Sequence, residues 1–427
     1  MDRHINPVKR VRGILKVPGD KSISHRALLL GALAQGRTSI VNLSSGMDVA
    51  STLSCLSKLG VRLSSDADGR ICYIEGCGGF RETEGVLDAG NSGTTIRLLS
   101  GLLAGQTFTS RITGDESLRR RPMERILVPL RKMGADIAAG LGDTVPLTIH
   151  GKPLHGIDYR IPMASAQIKS CVLLAGLLAE GRTQVSEPAL SRDHTERMLP
   201  EFGVDVRRTD LTVELDGPAR LNGCKIDVPG DLSSAAFFIV AASILPESEI
   251  VIENVGMNPS RTGIVDILKQ SGSDIHIDCH RIYNGEPRAD LVVRFGDMKG
   301  MDISGRWIPQ LIDEIPVLAI LATQSMGRTV VRNAKELRVK ETDRIAAVAD
   351  NLRAMGVKID VADDGFVLEG PQELKGACID SRGDHRIAMA FTIAGLIARG
   401  ETTIRGSECV DISYPSFYST IEELIHG

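Results

Sequence analysis

The chain has 427 residues, of which 42% are hydrophobic, 24% charged and 4% aromatic, with a net charge of −4 at pH 7. That length exceeds what a single hydrophobic core holds, so two domains are expected. A slightly acidic, aromatic-poor chain has no general attraction for nucleic acid or an anionic membrane, and any anion it binds must meet a local cluster of cations. The opening "MDRHINPVKRVRG" is basic but lacks an apolar signal core, and no apolar run is long enough to span a bilayer, so the expectation is a cytoplasmic protein with no membrane partner. Eight cysteines stand singly, and Cys72 and Cys77 fit no zinc spacing. Neither GxGxxG nor GxxxxGK[ST] occurs, so neither a metal nor a nucleotide cofactor is expected.

In chain order, a strand around "RGILKV" leads through "VPGD" at Val17 into an apolar helix, "SHRALLLGALAQG". A β-like "RTSI" and a more polar helix, "DVASTLSCLSKLGVRL", follow. The same order then recurs. Further apolar helices are predicted at "GTTIRLLSGLLAG", "AQIKSCVLLAGLLAEG", "SSAAFFIVAASILPES", "DEIPVLAILATQSMG" and "DHRIAMAFTIAGLIARG". Polar helices are predicted behind them at "PMERILVPLRKMGADI", "DHTERMLPEFGVDV", "TGIVDILKQSGSDI", "TDRIAAVADNLRAMGVKI" and "SYPSFYSTIEELI". Turns near Gly36, Gly105, Gly181, Pro246, Gly327 and Gly400 mark six units of helices alternating with short strands, an α/β (α+β) arrangement. "VPGD" returns at Val228, with three units before it and three after. The predicted organisation is two similar three-unit domains, residues 19–229 and residues 1–18 plus 230–427. The chain crosses between them near Val17–Asp20 and Val228–Asp231, and the "RGILKV" strand completes a sheet of the second domain.

Each apolar helix starts on a polar cap: "GDKSIS", "GNSGTT", "MASAQ", "GDLSS", "LIDE" and "RGDHR". Lys21, Arg26, Arg97, Arg121, Lys169, Lys340, Arg344 and Arg386 lie at or near these starts, where a cation opposes the helix dipole. An anionic ligand resolves that conflict, and the number of cations suits two or more phosphates or carboxylates. Asp313 and Glu314, Glu341, and Asp384 with His385 are the acid and base candidates. For Asp313, helix capping and a chemical role both remain open.

Seven stretches, "VPGDKSISHRALLLGALAQG", "DAGNSGTTIRLLSGLLAG", "RRRPMERI", "ASAQIKSCVLLAGL", "LIDEIPVLA", "LRVKETDRI" and "GDHRIAMAF", resemble in content and order those of the 5-enolpyruvylshikimate-3-phosphate synthase family of enolpyruvyl transferases. The resemblance covers almost the whole chain. It implies two domains of three βαβαββ units with the active site in the cleft between them. The implied reaction joins phosphoenolpyruvate to the 5-hydroxyl of shikimate 3-phosphate through a tetrahedral ketal, releases phosphate, and serves aromatic amino-acid biosynthesis. Carried onto this chain, Lys21, Asn91, Gly93, Arg121, Gln167, Lys340, Arg344 and Arg386 correspond to the phosphoenolpyruvate site. Lys21, Ser22, Arg26, Ser165, Ala166, Gln167, Arg192, Asp313 and Lys340 correspond to the shikimate 3-phosphate site. Lys21, Asp313 and Glu341 correspond to the catalytic groups, Asp313 taking the hydroxyl proton and Glu341 serving the methylene carbon. Domain closure, a monomer and sensitivity to glyphosate are implied as well. Ala166, where some members have Ser, and "VDIS" ahead of "YPSF", where some carry a lysine, resemble a divergent branch of the family, which leaves activation by potassium or ammonium open. The related UDP-N-acetylglucosamine enolpyruvyl transferases have a Cys in the loop that here reads "TGDESLRRRPMER". A non-catalytic anion binder on the same fold is the other alternative, opposed by the presence of Lys21, Asp313 and Glu341.

Overall fold

The computed structural model describes residues 1–426. The chain divides into two compact units: Met1–Pro18, Pro229–Arg281 and Pro287–Gly427 form unit one, and Gly19–Val228 with Ile282–Glu286 form unit two. The apolar helices are Lys21–Leu33, Gly93–Ala104 and Ala166–Gly176 in unit two, and Leu232–Ile244, Ile315–Gln324 and His385–Ile397 in unit one. Their sequences are apolar on every side, which commits them to the interior. Every residue of Leu232–Ile244 is buried. Gly101 lets the Gly93 and Ala166 helices approach backbone to backbone, since a Cβ there would lie 2.4 Å from the Cys171 carbonyl oxygen.

Five of the six starts are capped as their sequences predict. Asp20, Ser92, Ser165, Asp231 and Asp384 each accept a hydrogen bond from a backbone N–H in the first turn. The Ile315 helix differs: it starts on Glu314 without a side-chain cap, and Pro316 occupies its first turn, where no intrahelical donor is lost.

Each unit carries three sheets; five of the six are four-stranded and built to one plan, and the sixth, in unit one, has three strands. In unit two the hairpin strands Arg62–Ser65 and Ile71–Cys77 pair antiparallel, Gln35–Val41 joins antiparallel, and Lys225–Asp227 adds a parallel edge with Ile226 opposite Ile40. The strand that closes the first repeat thus comes from the end of the third. Unit one closes in a similar way: Arg12–Leu15 pairs in parallel with Glu249–Gly256. Asp2–Ile5 pairs antiparallel with Thr402–Arg405, whose other neighbour is Cys378–Asp380. The turn Ile282–Glu286, between strands Asp274–Tyr283 and Glu286–Arg294, belongs to unit two, and no repeat signal marks it. Among the described residues no helix is long and apolar enough to cross a membrane.

Candidate active site

In unit two, Lys21 is the first residue of its helix, and its Nζ lies 2.9 Å from Asp48 Oδ2. The two side chains keep 19% and 10% exposure, so a ligand reaches the ammonium by competing with Asp48. Asp48, in the first turn of the helix Met47–Lys58, offsets the unfavourable dipole at Lys21. Sequence reading missed it, because an acid in a first turn is an ordinary helix-start residue. One turn on, Arg26 is buried, and its hydrogen bonds all go to neutral groups: Thr195 Oγ1 at 2.7 Å, Ser170 Oγ at 2.5 Å and the Ser22 carbonyl at 2.8 Å. Burial lowers the guanidinium to about 10, against the opposing pull of Glu196 and Asp20. Arg192 Nη1 reaches Ser22 Oγ at 3.5 Å, which puts Ser22, Arg26 and Arg192 in one group.

A second group gathers at the Gly93 helix. Asn91 Oδ1 accepts from Arg121 Nη2 at 2.7 Å, and Asn91 Nδ2 donates to Asp115 Oδ2 at 2.7 Å. Gln167 Oε1 accepts from Arg97 Nη1 at 2.6 Å, and its Nε2 donates to Thr94 Oγ1 at 3.3 Å. Gly93 sits between the arginines: a Cβ would lie 2.8 Å from Arg97 Nη1 and 3.5 Å from Arg121 Nη1. Ser165 and Ala166 form the start of the neighbouring helix, with Ser165 as its cap. The groups are linked beneath by buried hydroxyls: His25 Nδ1 to Thr52 Oγ1 and Thr52 Oγ1 to Thr95 Oγ1, each 2.7 Å, and Thr95 Oγ1 to the Asp48 carbonyl at 3.3 Å. Burial, then the charges of Lys21 and Arg26, hold the His25 imidazole well below its ordinary value, so it is neutral.

Lys169 departs from the pattern of ligand-seeking cations. Its side chain is 1% exposed and is paired with Glu187 at 2.7 Å and Glu196 at 2.8 Å, so it is a buried structural ion. Spacing alone cannot separate such a lysine from Lys21; two acids from distant segments do that.

In unit one, Arg344 organises the acids. Its side chain is 1% exposed, with Nε 2.8 Å from Asp384 Oδ2, Nη2 2.7 Å from Glu341 Oε2 and Nη1 3.3 Å from Asp313 Oδ1. Burial pulls the guanidinium down, but the carboxylates of Asp384, Glu341 and Asp313 outweigh it and hold Arg344 above its ordinary value. Arg386 Nη1 donates to the Asp313 carbonyl at 3.0 Å, and its Nη2 lies 3.7 Å from Asp313 Oδ2. Asp313 therefore faces two arginines and does not cap the Ile315 helix, which removes the capping reading. Glu314 turns the other way and accepts from Ser233. Lys340 ends the 3-10 turn Lys335–Val339, and its Nζ is 3.8 Å from Glu336. Asp384, an acid candidate from the sequence, caps its own helix and neutralises Arg344, a pairing that the sequence alone did not give.

The cations and acids thus form three groups, two in unit two and one in unit one, gathered around the starts of helices and the turns that precede them. Residues 5–421 match the model of the EPSP synthase (3-phosphoshikimate 1-carboxyvinyltransferase) family. The chain belongs to that family. A 3-phosphoshikimate 1-carboxyvinyltransferase of Brevibacillus brevis is 51% identical over 98% of this chain and 99% of its own length. One of Desulforamulus reducens is 49% identical over the whole of both. An EPSP synthase structure from Acinetobacter baumannii superposes with a TM-score of 0.88 at 45% identity, covering 99% of this chain and 98% of that one. That EPSP synthase structure and this chain share one fold.

Proposed function

We propose that the chain is a transferase that moves the enolpyruvyl group of phosphoenolpyruvate to the 5-hydroxyl of shikimate 3-phosphate and releases phosphate, a step of aromatic amino-acid biosynthesis. Asp313 takes the hydroxyl proton as the oxygen adds to C2, and Glu341 delivers a proton to C3. Loss of a C3 proton to Glu341 then expels phosphate from the ketal. Both substrates are anions that repel each other, so the cations are needed to hold them together. Lys21, Arg26 and Arg192 with Ser22, Ser165, Ala166 and Gln167 take the acceptor and its phosphate. Arg121, Asn91 and the backbone at Gly93, with Lys340, Arg344 and Arg386, take phosphoenolpyruvate. No carbon changes its net oxidation state, so the reaction calls for no redox cofactor; the hydroxyl proton taken by Asp313 passes to the departing phosphate, and Glu341 recovers the proton it gave to C3.

Within the molecule, Arg26 carries this reading: a buried guanidinium hydrogen-bonded only to neutral groups is what a bound phosphate would neutralise. The test is phosphate release by the purified chain with both substrates, with each omitted, and with UDP-N-acetylglucosamine replacing shikimate 3-phosphate. Release only with the first pair is expected. Release no greater than in the omissions refutes the proposal.

A further inference from the structure

The turn Ile282–Glu286 has no part in the reaction set out above, yet it is firmly tied into unit two. Asn284 and Gly285 adopt left-handed backbone, with φ of 49° and 70°, as a two-residue Asn-Gly hairpin turn requires. Asn284 Oδ1 accepts from the Asp227 N–H at 2.9 Å, and its Nδ2 donates to the Lys225 carbonyl at 3.0 Å and Glu201 Oε2 at 2.8 Å. The Gly285 carbonyl accepts from Arg197 Nη1 at 3.0 Å. Glu286, buried, holds its Oε1 2.7 Å from Nδ1 of the buried His194.

His194 begins the helix His194–Met198, whose five residues are too few to hold a helix by themselves. Its cap residue Asp193 makes no side-chain capping bond and instead accepts from Arg197 Nε and Arg208 Nη1, each at 2.8 Å. The position of this helix is therefore set by side-chain ties. Its other contacts lead to the acceptor group: Thr195 Oγ1 to Arg26 Nε at 2.7 Å, Glu196 to Lys169 at 2.8 Å, and Arg192, just before it, to Ser22.

We propose that Glu286 is a positioning residue for the acceptor-phosphate subsite, acting through His194 to fix the short helix that holds Thr195 against Arg26 and Arg192 against Ser22. The proposal rests on the reading that Arg26 and Arg192 bind the phosphate of shikimate 3-phosphate. The Glu286 carboxylate also acts on Arg26 through space: burial lowers that guanidinium, and Glu286 is among the acids opposing the fall. Glu286 touches no reacting atom, so its removal alters one substrate's fit and leaves the donor's cations in place.

The test uses steady-state phosphate release with each substrate varied in turn, on the full chain and on Glu286→Ala, Glu286→Gln and Asn284→Ala. Loss of one buried charge-assisted contact predicts a rise of roughly tenfold in KM for shikimate 3-phosphate in Glu286→Ala. KM for phosphoenolpyruvate stays within about twofold, because the donor residues are untouched. Glu286→Gln, whose amide oxygen still accepts from His194, restores most of the loss. Asn284→Ala, at the partly exposed turn, shows the same one-sided rise and decides the matter if Glu286→Ala does not fold. An unchanged KM for shikimate 3-phosphate, or parallel rises for both substrates, overturns the proposal. A wild-type chain without turnover on this pair would defeat the underlying reading of function, whereas normal wild-type turnover with indifferent variants defeats Glu286 positioning alone.

Discussion

Replacing Asp384 by Asn removes one charge from the group around Arg344 while keeping its shape. Asp384 is fully buried and Arg344 nearly so, and their closest atoms are 2.8 Å apart. With charge centres about 4 Å apart and an effective dielectric of about 20, the lost attraction is about 4 kcal/mol. Breaking a buried pair by changing one partner costs about 3–5 kcal/mol, in the same range. Glu341 and Asp313 remain on Arg344, and an Asn still caps the His385 helix, so the lower end, about 3 kcal/mol, is expected. For a unit of this size that corresponds to a fall of roughly 6–12 °C in the Tm of its unfolding. Calorimetry on wild type, Asp384→Asn, Arg344→Met and the double variant measures the coupling directly. A coupling below about 0.5 kcal/mol would refute the idea that Asp384 is the counter-charge that keeps Arg344 buried.

Lys21→Met removes the ammonium beside Asp48 without touching the core; phosphate release should fall by about 10²–10³-fold with an unchanged far-UV spectrum, and near-normal turnover sinks its catalytic role. Gly93→Ala places a methyl 2.8 Å from Arg97 Nη1, so the arginine must shift. KM for phosphoenolpyruvate should rise roughly tenfold and competitive inhibition by glyphosate should weaken, and equal inhibition of both proteins counts against a donor site at Gly93. His25 is held neutral in the fold, with its value lowered from 6.5. Its contribution to stability is complete above pH about 6.5 and is lost as pH falls from there towards the folded value, with a slope of up to about 1.4 kcal/mol per pH unit. His25→Asn should flatten denaturant-derived stability between pH 6.5 and 5, and an unaltered slope in the variant rules out this origin.

The helix starts were legible because capping chemistry is local. Asp20, Ser92, Ser165 and Asp231 announce themselves within a few residues of the apolar run they serve. The pairing of charges was not legible, because it depends on segments far apart in sequence. Lys169 and Lys21 look alike as lysines near helix starts, but Lys169 is buried between Glu187 and Glu196 whereas Lys21, paired with Asp48 alone, stays partly exposed. Asp313 had two readings for the same reason, and the arginines that draw it away from capping lie 31 and 73 residues further on. The Asn284–Gly285 turn did carry a signal, an Asn-Gly pair between β-like runs, but nothing local says that its partners are Lys225, Asp227 and Glu201.

The strand pairings that close unit one also set an order of events during synthesis. Asp2–Ile5 waits for Thr402–Arg405, about 400 residues later, and Arg12–Leu15 waits for Glu249–Gly256. At about 5–20 residues per second the first of these strands spends roughly 20–80 s without its partner. Meanwhile Gly19–Val228, nearly all of unit two, emerges unbroken and can complete its own sheets. A waiting strand is a template for the wrong neighbour. Arg3, Lys9, Arg10, Arg12 and Lys16 crowd this segment with like charge, which disfavours its pairing with a second copy of itself.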